Sequence, residues 1–307
     1  MAILCHVHER DGPDRHRSVR NLRADQPSIR VTSQRLTSLP IVTANAPQPI
    51  GRAAPATLAL VALLAAGCGV GGDDSAGAVD GSVSGEVVVF AAASLTEAFT
   101  EIGESFEAAH PDASVTFSFA ASSELVAQIL EGAPADVYAS ADLATMSRLT
   151  DAGLNAAEPV VFAENRSEIV VAEGNPLGIG TVADLADPDL LVVTCAPQAP
   201  CGAYATQIFE RAGVEVTPDS YEQNVKSVVT KVRIGEADAG IAYATDVAAA
   251  ADDVDGVAIP AEVDVVAEYP MTLTTEATNP VGGDAFVDLV VSDSGRAILA
   301  AHGFSTP

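Results

Sequence analysis

Residues 86–97 read EVVVFAAASLTE, and this stretch decides the fold class. Glu86 to Ala92 is a short, almost fully apolar run, which is typical of a strand buried on both faces of a parallel sheet. Ser94 to Glu97 follows with the capping-box pattern S-L-T-E, which predicts that a helix opens at Ser94. A buried strand that leads directly into a helix is the first part of an α/β fold.

The same alternation continues along the chain. Helices are predicted at 94–110, 122–130 and 143–152, and strands at 115–119 and 136–139. Further strands are predicted at 169–172, 190–194, 240–243 and 271–274, with helices near 203–212 and 225–235. The order βαβαβα predicts a doubly wound α/β sheet. The length of the pattern suffices for two similar lobes joined by crossing strands near 162–172 and 268–275.

The sequence is strongly acidic, with 42 Asp and Glu against 15 Lys and Arg in 307 residues and a formal net charge of −27. Eight of the basic residues and only four of the acidic ones precede Cys68, which leaves the part after Cys68 near −31. Such a surface argues against nucleic acid and anionic lipid headgroups as partners. It does not exclude a small anion, because a buried site responds first to its own donors and surface charge is screened within about 8 Å.

The N-terminal part has the pattern of an export signal. The apolar run 53–66 is too short to span a bilayer but suits a signal-peptide core, and it ends in LAAGC at Cys68. This end is similar to a lipoprotein cleavage site, so we expect residues 53–68 to direct lipidation of Cys68; cleavage as an ordinary secretory signal is the alternative. We interpret residues 1–52 as a mis-assigned start or a long leader, and the Gly-, Ser- and Asp-rich residues 69–85 as a flexible tether.

Motifs of common enzymes are absent from the sequence. It contains no Gly-Lys-Ser/Thr loop, no His-Glu-x-x-His and no Gly-x-Ser-x-Gly. After Cys68 the only histidines are His110 and His302, which we expect at the surface. Asp142 is predicted to cap a helix rather than to form a catalytic pair with Asp136. We therefore expect no catalytic residues and no resident cofactor.

Two cysteines lie close together outside the N-terminal region. Cys195 and Cys201 flank the loop APQAP, which its two prolines stiffen. In an extracellular protein they can form a disulfide, or they can stay as two free thiols.

Several predicted helices begin with residues that leave backbone donors free. Ser94, Ser122, Cys201 with Gly202, and Asn224 with Val225 all stand at such starts. The first N–H groups of a helix have no intrahelical partner, carry partial positive charge and bind anions readily. In doubly wound sheets these ends meet beyond the carboxyl ends of the strands. The alternative at each position is a residue that merely caps its helix.

Five stretches together resemble the molybdate-binding protein family, the extracellular receptors of ABC-type molybdate importers. They read VVVFAAASLTEAF (87–99), SFAASSELVAQILEGAPADVYASAD (118–142), PCGAYA (200–205), NVKSVVTKVRIGEADAGIAYATD (224–246) and EYPMTL (268–273). The resemblance implies a two-lobed, type II periplasmic-binding-protein-like fold. We expect residues 86–166 and 267–307 to form lobe 1 and residues 167–266 to form lobe 2.

The resemblance also implies a set of ligand contacts at Ser94, Ser122, Cys201, Val225 and Tyr243. Both serines would donate from a backbone N–H and a hydroxyl, although Ser123 could take the place of Ser122. Cys201, where many family members have Ala, and Val225 would donate from the backbone, and Tyr243 from its phenol. Molybdenum would thus be bound only as molybdate, and not as a directly coordinated metal.

This reading predicts a monomeric, lipid-anchored binding protein on the extracellular face of the cytoplasmic membrane that delivers molybdate to an ABC permease. Molybdate is a tetrahedral dianion that needs only donors, whereas monoprotonated phosphate also needs an acceptor. Tungstate is nearly the same size, and sulfate is smaller. The alternatives are a receptor for tungstate or sulfate, a hydrolase with Ser94 as nucleophile, and an adhesive surface lipoprotein.

Overall fold

The computed structural model describes residues 83–307 and arranges them around two five-stranded sheets. The strands are β1 Gly85–Ala92, β2 Ala113–Ala120, β3 Val137–Ala139, β4 Val160–Asn165, β5 Ser167–Ala172, β6 Val192–Cys195, β7 Ser220–Glu222, β8 Ala239–Tyr243, β9 Val254–Ala258 and β10 Ala267–Leu273. The first sheet has the order β2-β1-β3-β10-β4 and the second the order β7-β6-β8-β5-β9. The predictions for the leader, the apolar run 53–66, Cys68 and most of the tether concern residues outside the described part of the chain.

The chain passes between the two sheets twice. Only Arg166 separates β4 in the first sheet from β5 in the second, and residues 259–266 lead from β9 back to β10. In the first sheet β1 is parallel to β2 and β3, whereas β10 runs antiparallel to β3 and β4. The predicted α/β class, with two sheets joined by two crossings, is confirmed.

Helices cover the faces of both sheets. They are α1 Thr96–Ala109, α2 Ser122–Leu130, α3 Leu143–Asp151, α4 Pro200–Ala212, α5 Val225–Arg233, α6 Ala244–Ala248, α7 Pro280–Val291 and α8 Asp293–Ala301, with short 3-10 helices at Ala93–Leu95 and Val182–Ala186. The five helices predicted up to residue 235 are all present, whereas α6, α7 and α8 were missed. Within residues 83–307, no helix combines the length and the apolar character needed to cross a bilayer.

Close packing explains why α7 escaped prediction. Its first turn contains Gly282 and Gly283, which normally weaken a helix. A Cβ at Gly282 would lie 2.6 Å from the Val87 side chain, and one at Gly283 would lie 2.5 Å from the Leu273 side chain. The glycines therefore allow α7 to lie directly on the first sheet, a packing requirement that helix propensity does not include.

The two carboxylates discussed from the sequence are structural. Asp136 is fully buried and accepts hydrogen bonds from the backbone N–H groups of Val88 (2.7 Å), Thr278 (2.6 Å) and Asn279 (2.7 Å). It thereby ties two strands to the segment before α7. Asp142 caps α3, as predicted, by accepting from Thr145 N at 2.9 Å.

Candidate functional site

All five residues predicted to contact the ligand line one small cavity between the two sheets. Its lining is Ala92, Ala93, Ser94, Ala120, Ala121, Ser122, Ala141, Pro200, Cys201, Asn224, Val225 and Tyr243. Ser122 is among these residues and Ser123 is not. The cavity is narrow, since the space open to the centre of a water-sized sphere is about 10 Å³, close to the least that holds one water.

The fold brings these residues together because each lies at or after the carboxyl end of a strand. Ser94 lies in the 3-10 helix after β1, and Ser122 is the first residue of α2. Cys201 is the second residue of α4, and Val225 is the first of α5. Tyr243 ends β8. Four of these residues lie in the first turn of a helix, whose N–H groups have no intrahelical partners, so the fold gathers backbone donors at the carboxyl ends of the strands.

The lining is uncharged. None of the twelve described residues around this cavity is Asp, Glu, Lys, Arg or His. An anion held here would meet neutral dipoles and helix N-termini, which favour negative charge. It would not meet a carboxylate, so the acidic surface of the chain does not extend into the cavity.

The hydroxyl of Tyr243 has no partner. The side chain is 2% exposed, and within residues 83–307 its Oη is one of three buried side-chain atoms that form no hydrogen bond. Burial raises the pKa of Tyr243 well above its usual value, so the phenol keeps its proton. A buried donor without an acceptor is costly, and this one belongs to the cavity wall. It therefore points to a ligand that supplies the acceptor.

The Ser122 hydroxyl is held as a donor. Its Oγ accepts a hydrogen bond from Ala141 N at 3.0 Å. This leaves the hydroxyl hydrogen free for a ligand, because a hydroxyl can accept from one group and donate to another. Ser122 does not cap its helix, since the N-cap of α2 is Ala121 and no side-chain cap is formed there.

The capping role predicted for Ser94 was wrong. The N-cap of α1 is Leu95, and neither it nor the preceding 3-10 helix has a side-chain cap. Ser94 Oγ instead lies 2.9 Å from the phenol oxygen of Tyr269, a residue of β10 that sequence analysis did not assign to the site. A partner 175 positions away replaces the local one, so the capping-box pattern failed here.

The helix start at Cys201 is covalently fixed. Cys195 at the end of β6 and Cys201 in α4 form a disulfide, with their Cα atoms 5.7 Å apart. Asn224 caps α5 by accepting from Ser227 N at 3.1 Å, as predicted. These two local structures hold the backbone N–H groups of Cys201 and Val225 at the cavity.

A charged group lies beside the cavity, and sequence reasoning missed it. Lys226 Nζ is 2.6 Å from Glu97 Oε2 and 3.0 Å from Asp246 Oδ1. Asp246 is buried, and neither of its oxygens accepts a hydrogen bond of good geometry, so the contact with Lys226 is an ion pair only. Burial raises the pKa of Asp246 to about 6 although Lys226 lowers it. Burial alone would lower the pKa of Lys226, but Asp246 and Glu97 outweigh it and raise that pKa.

Both histidines lie away from the cavity lining, at the surface as expected. His302 Nε2 is 2.8 Å from Glu101 Oε2, and His110 packs on the ring of Phe106, so both histidines are half-buried at the surface.

A larger cavity of about 500 Å³ lies beside α4 and is lined in part by Glu210 and Glu215. Carboxylates in its wall make it unsuitable for an anion. The small uncharged cavity is therefore the candidate site.

Known proteins share this architecture. Residues 87–305 match the family model described as bacterial extracellular solute-binding protein. The molybdate-binding protein ModA of Mycobacterium tuberculosis H37Rv is 43% identical over 245 residues, which cover 80% of this chain and 93% of that protein.

Two solved structures agree in fold. A periplasmic molybdate-binding protein of Azotobacter vinelandii has a TM-score of 0.64 at 20% identity and covers 72% of this chain and 99% of its own. The sulfate-binding protein SubI of Mycobacterium tuberculosis H37Rv has a TM-score of 0.66 at 18% identity, covering 72% of this chain and 86% of its own. The predicted type II periplasmic-binding-protein fold is confirmed.

Proposed function

The chain belongs to the family of bacterial extracellular solute-binding proteins, and from this premise we propose that it captures molybdate and delivers it to an ABC importer. Its similarity to a protein named for molybdate binding supports the choice of ligand. The observation that carries the proposal is the uncharged cavity in which the unpartnered hydroxyl of Tyr243 meets the predicted serine and backbone donors.

The donors suit a tetrahedral dianion. The two serines offer two donors each, and Cys201, Val225 and Tyr243 offer one each, so seven donors face four ligand oxygens. Each hydrogen bond to a charged partner contributes about 1.5–3 kcal/mol. Since the lining has no carboxylate to accept a hydrogen bond from a phosphate O–H group, a fully deprotonated anion is favoured over monoprotonated phosphate.

Tungstate and sulfate are the other anions with this charge and shape. Tungstate is nearly as large as molybdate, so we expect both to bind. Sulfate is the second candidate, because the cavity is small and its donor set does not distinguish one unprotonated dianion from another.

The proposal includes a location and a partner. We propose that residues 53–68 direct export, that lipidated Cys68 anchors the chain outside the cytoplasmic membrane, and that the monomer docks on an ABC permease. The apolar run that ends in LAAGC supports the anchor. Metabolic labelling with a fatty acid tests it: label should enter the wild-type protein and be lost in Cys68→Ser.

A hydrolase built on Ser94 finds no support. Ser94 Oγ bonds to Tyr269, while His302 is engaged by Glu101. Nucleophilic catalysis would need a base in contact with the serine. The family and the named relatives are binding proteins, and the chain is not an enzyme.

Thermal melts of the purified protein with each oxyanion test the proposed ligand. A ligand that binds only the folded state adds about 2.7 kcal/mol at 100 times its Kd. We expect molybdate and tungstate to raise Tm and phosphate to leave it unchanged. A rise with sulfate alone would favour the second candidate, and a protein indifferent to all four would refute the proposal.

A further inference from the structure

Four side chains form a hydrogen-bond network that extends from the crossing strands to the cavity. Asn165 at the end of β4 donates from Nδ2 to Thr245 Oγ1 at 2.8 Å and to Tyr269 Oη at 3.4 Å. Tyr269 Oη in turn lies 2.9 Å from Ser94 Oγ. All four residues are buried, and Asn165 and Tyr269 are not among the residues that line the cavity.

The direction of these hydrogen bonds follows from the chemistry of the amide. Asn165 Oδ1 accepts from Arg166 N at 2.9 Å, which turns Nδ2 towards Thr245 and Tyr269. An amide nitrogen can only donate, so Tyr269 Oη is the acceptor of that contact. Burial raises the pKa of Tyr269 well above its usual range, and the phenol therefore keeps its hydrogen. The one described partner left for that hydrogen is Ser94 Oγ.

These hydrogen bonds make the Ser94 hydroxyl a donor. Because Tyr269 donates to Ser94 Oγ, the serine hydrogen cannot return to Tyr269 and is left for another acceptor, and Ser94 belongs to the wall of the cavity. A ligand oxygen that carries a proton would then meet another hydrogen at this position. An oxygen without a proton would instead accept a hydrogen bond.

We propose that Tyr269, oriented by Asn165, is a positioning residue that holds the Ser94 hydroxyl as a donor and makes the site select unprotonated oxyanions. This inference rests on the proposed function, since it concerns the same site. It adds a source of specificity that the cavity lining alone does not contain. In a protein without the Tyr269 hydroxyl, Ser94 rotates freely and its Oγ can accept a hydrogen bond from the protonated oxygen of hydrogen phosphate.

A Tyr269→Phe variant tests the proposal, because it keeps the ring that packs edge-on against Phe162 and Phe304. The measurement is the Kd for molybdate by calorimetry, and the Kd for phosphate by competition with molybdate. We expect molybdate to bind about three- to tenfold more weakly and the phosphate-to-molybdate affinity ratio to rise about tenfold.

A double variant separates positioning from a general weakening of the crossing strands. In a Ser94→Ala background, Tyr269→Phe should change neither Kd further. The matched control is Thr272→Val on the same strand, which removes a buried hydroxyl that donates to Ala157 O at 2.8 Å and is absent from the cavity lining. It should lower Tm and leave the ratio unchanged.

The outcomes are distinguishable. If wild-type protein binds no oxyanion, the proposed function fails and this inference fails with it. If the wild type binds molybdate but Tyr269→Phe leaves both affinities unchanged, weakens them equally or acts also without Ser94, the inference alone is wrong. Should Tyr269→Phe fail to fold, Asn165→Ala gives the same test, since it frees the Tyr269 hydroxyl and should raise the ratio in the same direction.

Discussion

The ammonium group of Lys226 lies 2.6 Å from a carboxylate oxygen of Glu97, and this ion pair joins the two halves of the fold. Glu97 belongs to α1, which packs on the first sheet, and Lys226 belongs to α5 of the second. Each is a close sequence neighbour of a proposed ligand contact, Ser94 and Val225. The ion pair therefore links α1 to α5 immediately beside the cavity.

Removing the lysine charge should affect both stability and binding. In Lys226→Met, Asp246 stays buried without its cation, so we expect a loss of about 2 kcal/mol in the free energy of unfolding. Molybdate should bind about tenfold more weakly, because two carboxylates near the site lose their counter-ion. Lys231→Met is the control, since Lys231 pairs with Glu222 at 2.8 Å within the second half only. If both variants bind molybdate equally well, the Lys226 ion pairs do not contribute to molybdate binding.

The buried carboxylate predicts a pH dependence of stability. The pKa of Asp246 is about 6 in the folded protein against an ordinary value of 3.8, so the folded state holds the proton more tightly. The Asp246 contribution to stability therefore falls as pH rises from about 4 to 6 and is constant above. Asp246→Asn should gain about 3 kcal/mol relative to wild type across this window, measured by denaturant unfolding at several pH values. A difference independent of pH would contradict this prediction.

Tyr243→Phe should have opposite effects on the free protein and on binding. Deleting a buried hydroxyl without a partner should leave the ligand-free protein as stable or about 1 kcal/mol more stable. The same deletion removes a donor and should weaken molybdate binding by about 1.5–3 kcal/mol. Tyr138→Phe is the matched control, because it also removes a buried tyrosine hydroxyl. The Tyr138 hydroxyl donates to Ser122 O at 2.9 Å, so that variant should lose stability. Tyr243→Phe with unchanged affinity would remove Tyr243 from the site.

The disulfide should support the helix start that carries a backbone donor. Replacing both Cys195 and Cys201 by serine should cost about 2 kcal/mol of unfolding free energy and weaken molybdate binding by a smaller factor than Tyr243→Phe. Melts with and without a reductant provide the comparison. The reductant should lower Tm of the wild type and have no effect on the double variant; equal sensitivity of both would show that another change is responsible.

Local patterns predicted the parts of the fold that local forces determine. The run at 86–92 and the helices up to residue 235 follow from apolar periodicity and caps, as at Asp142 and Asn224. Local patterns fail to predict an element whose structure depends on tertiary contacts. Gly282 and Gly283 suit a helix only because the sheet lies so close.

The site was predicted to the level of its lining and no further. The resemblance supplied five of the twelve positions that line the cavity. It did not supply the direction of the Ser94 hydroxyl or the Lys226–Glu97 pair, because these depend on partners 175 and 129 positions away. Such contacts have no local pattern, since they arise only when the two crossing strands bring the sheets together.

The most direct test of the central claim is a calorimetric titration of the purified protein with molybdate, repeated with Tyr243→Phe. The cavity predicts one molybdate per chain, no detectable heat with phosphate at the same concentrations, and weaker binding in the variant. A wild-type protein that takes up neither molybdate nor tungstate, or a variant that binds molybdate as tightly as wild type, would contradict an oxyanion site at this cavity.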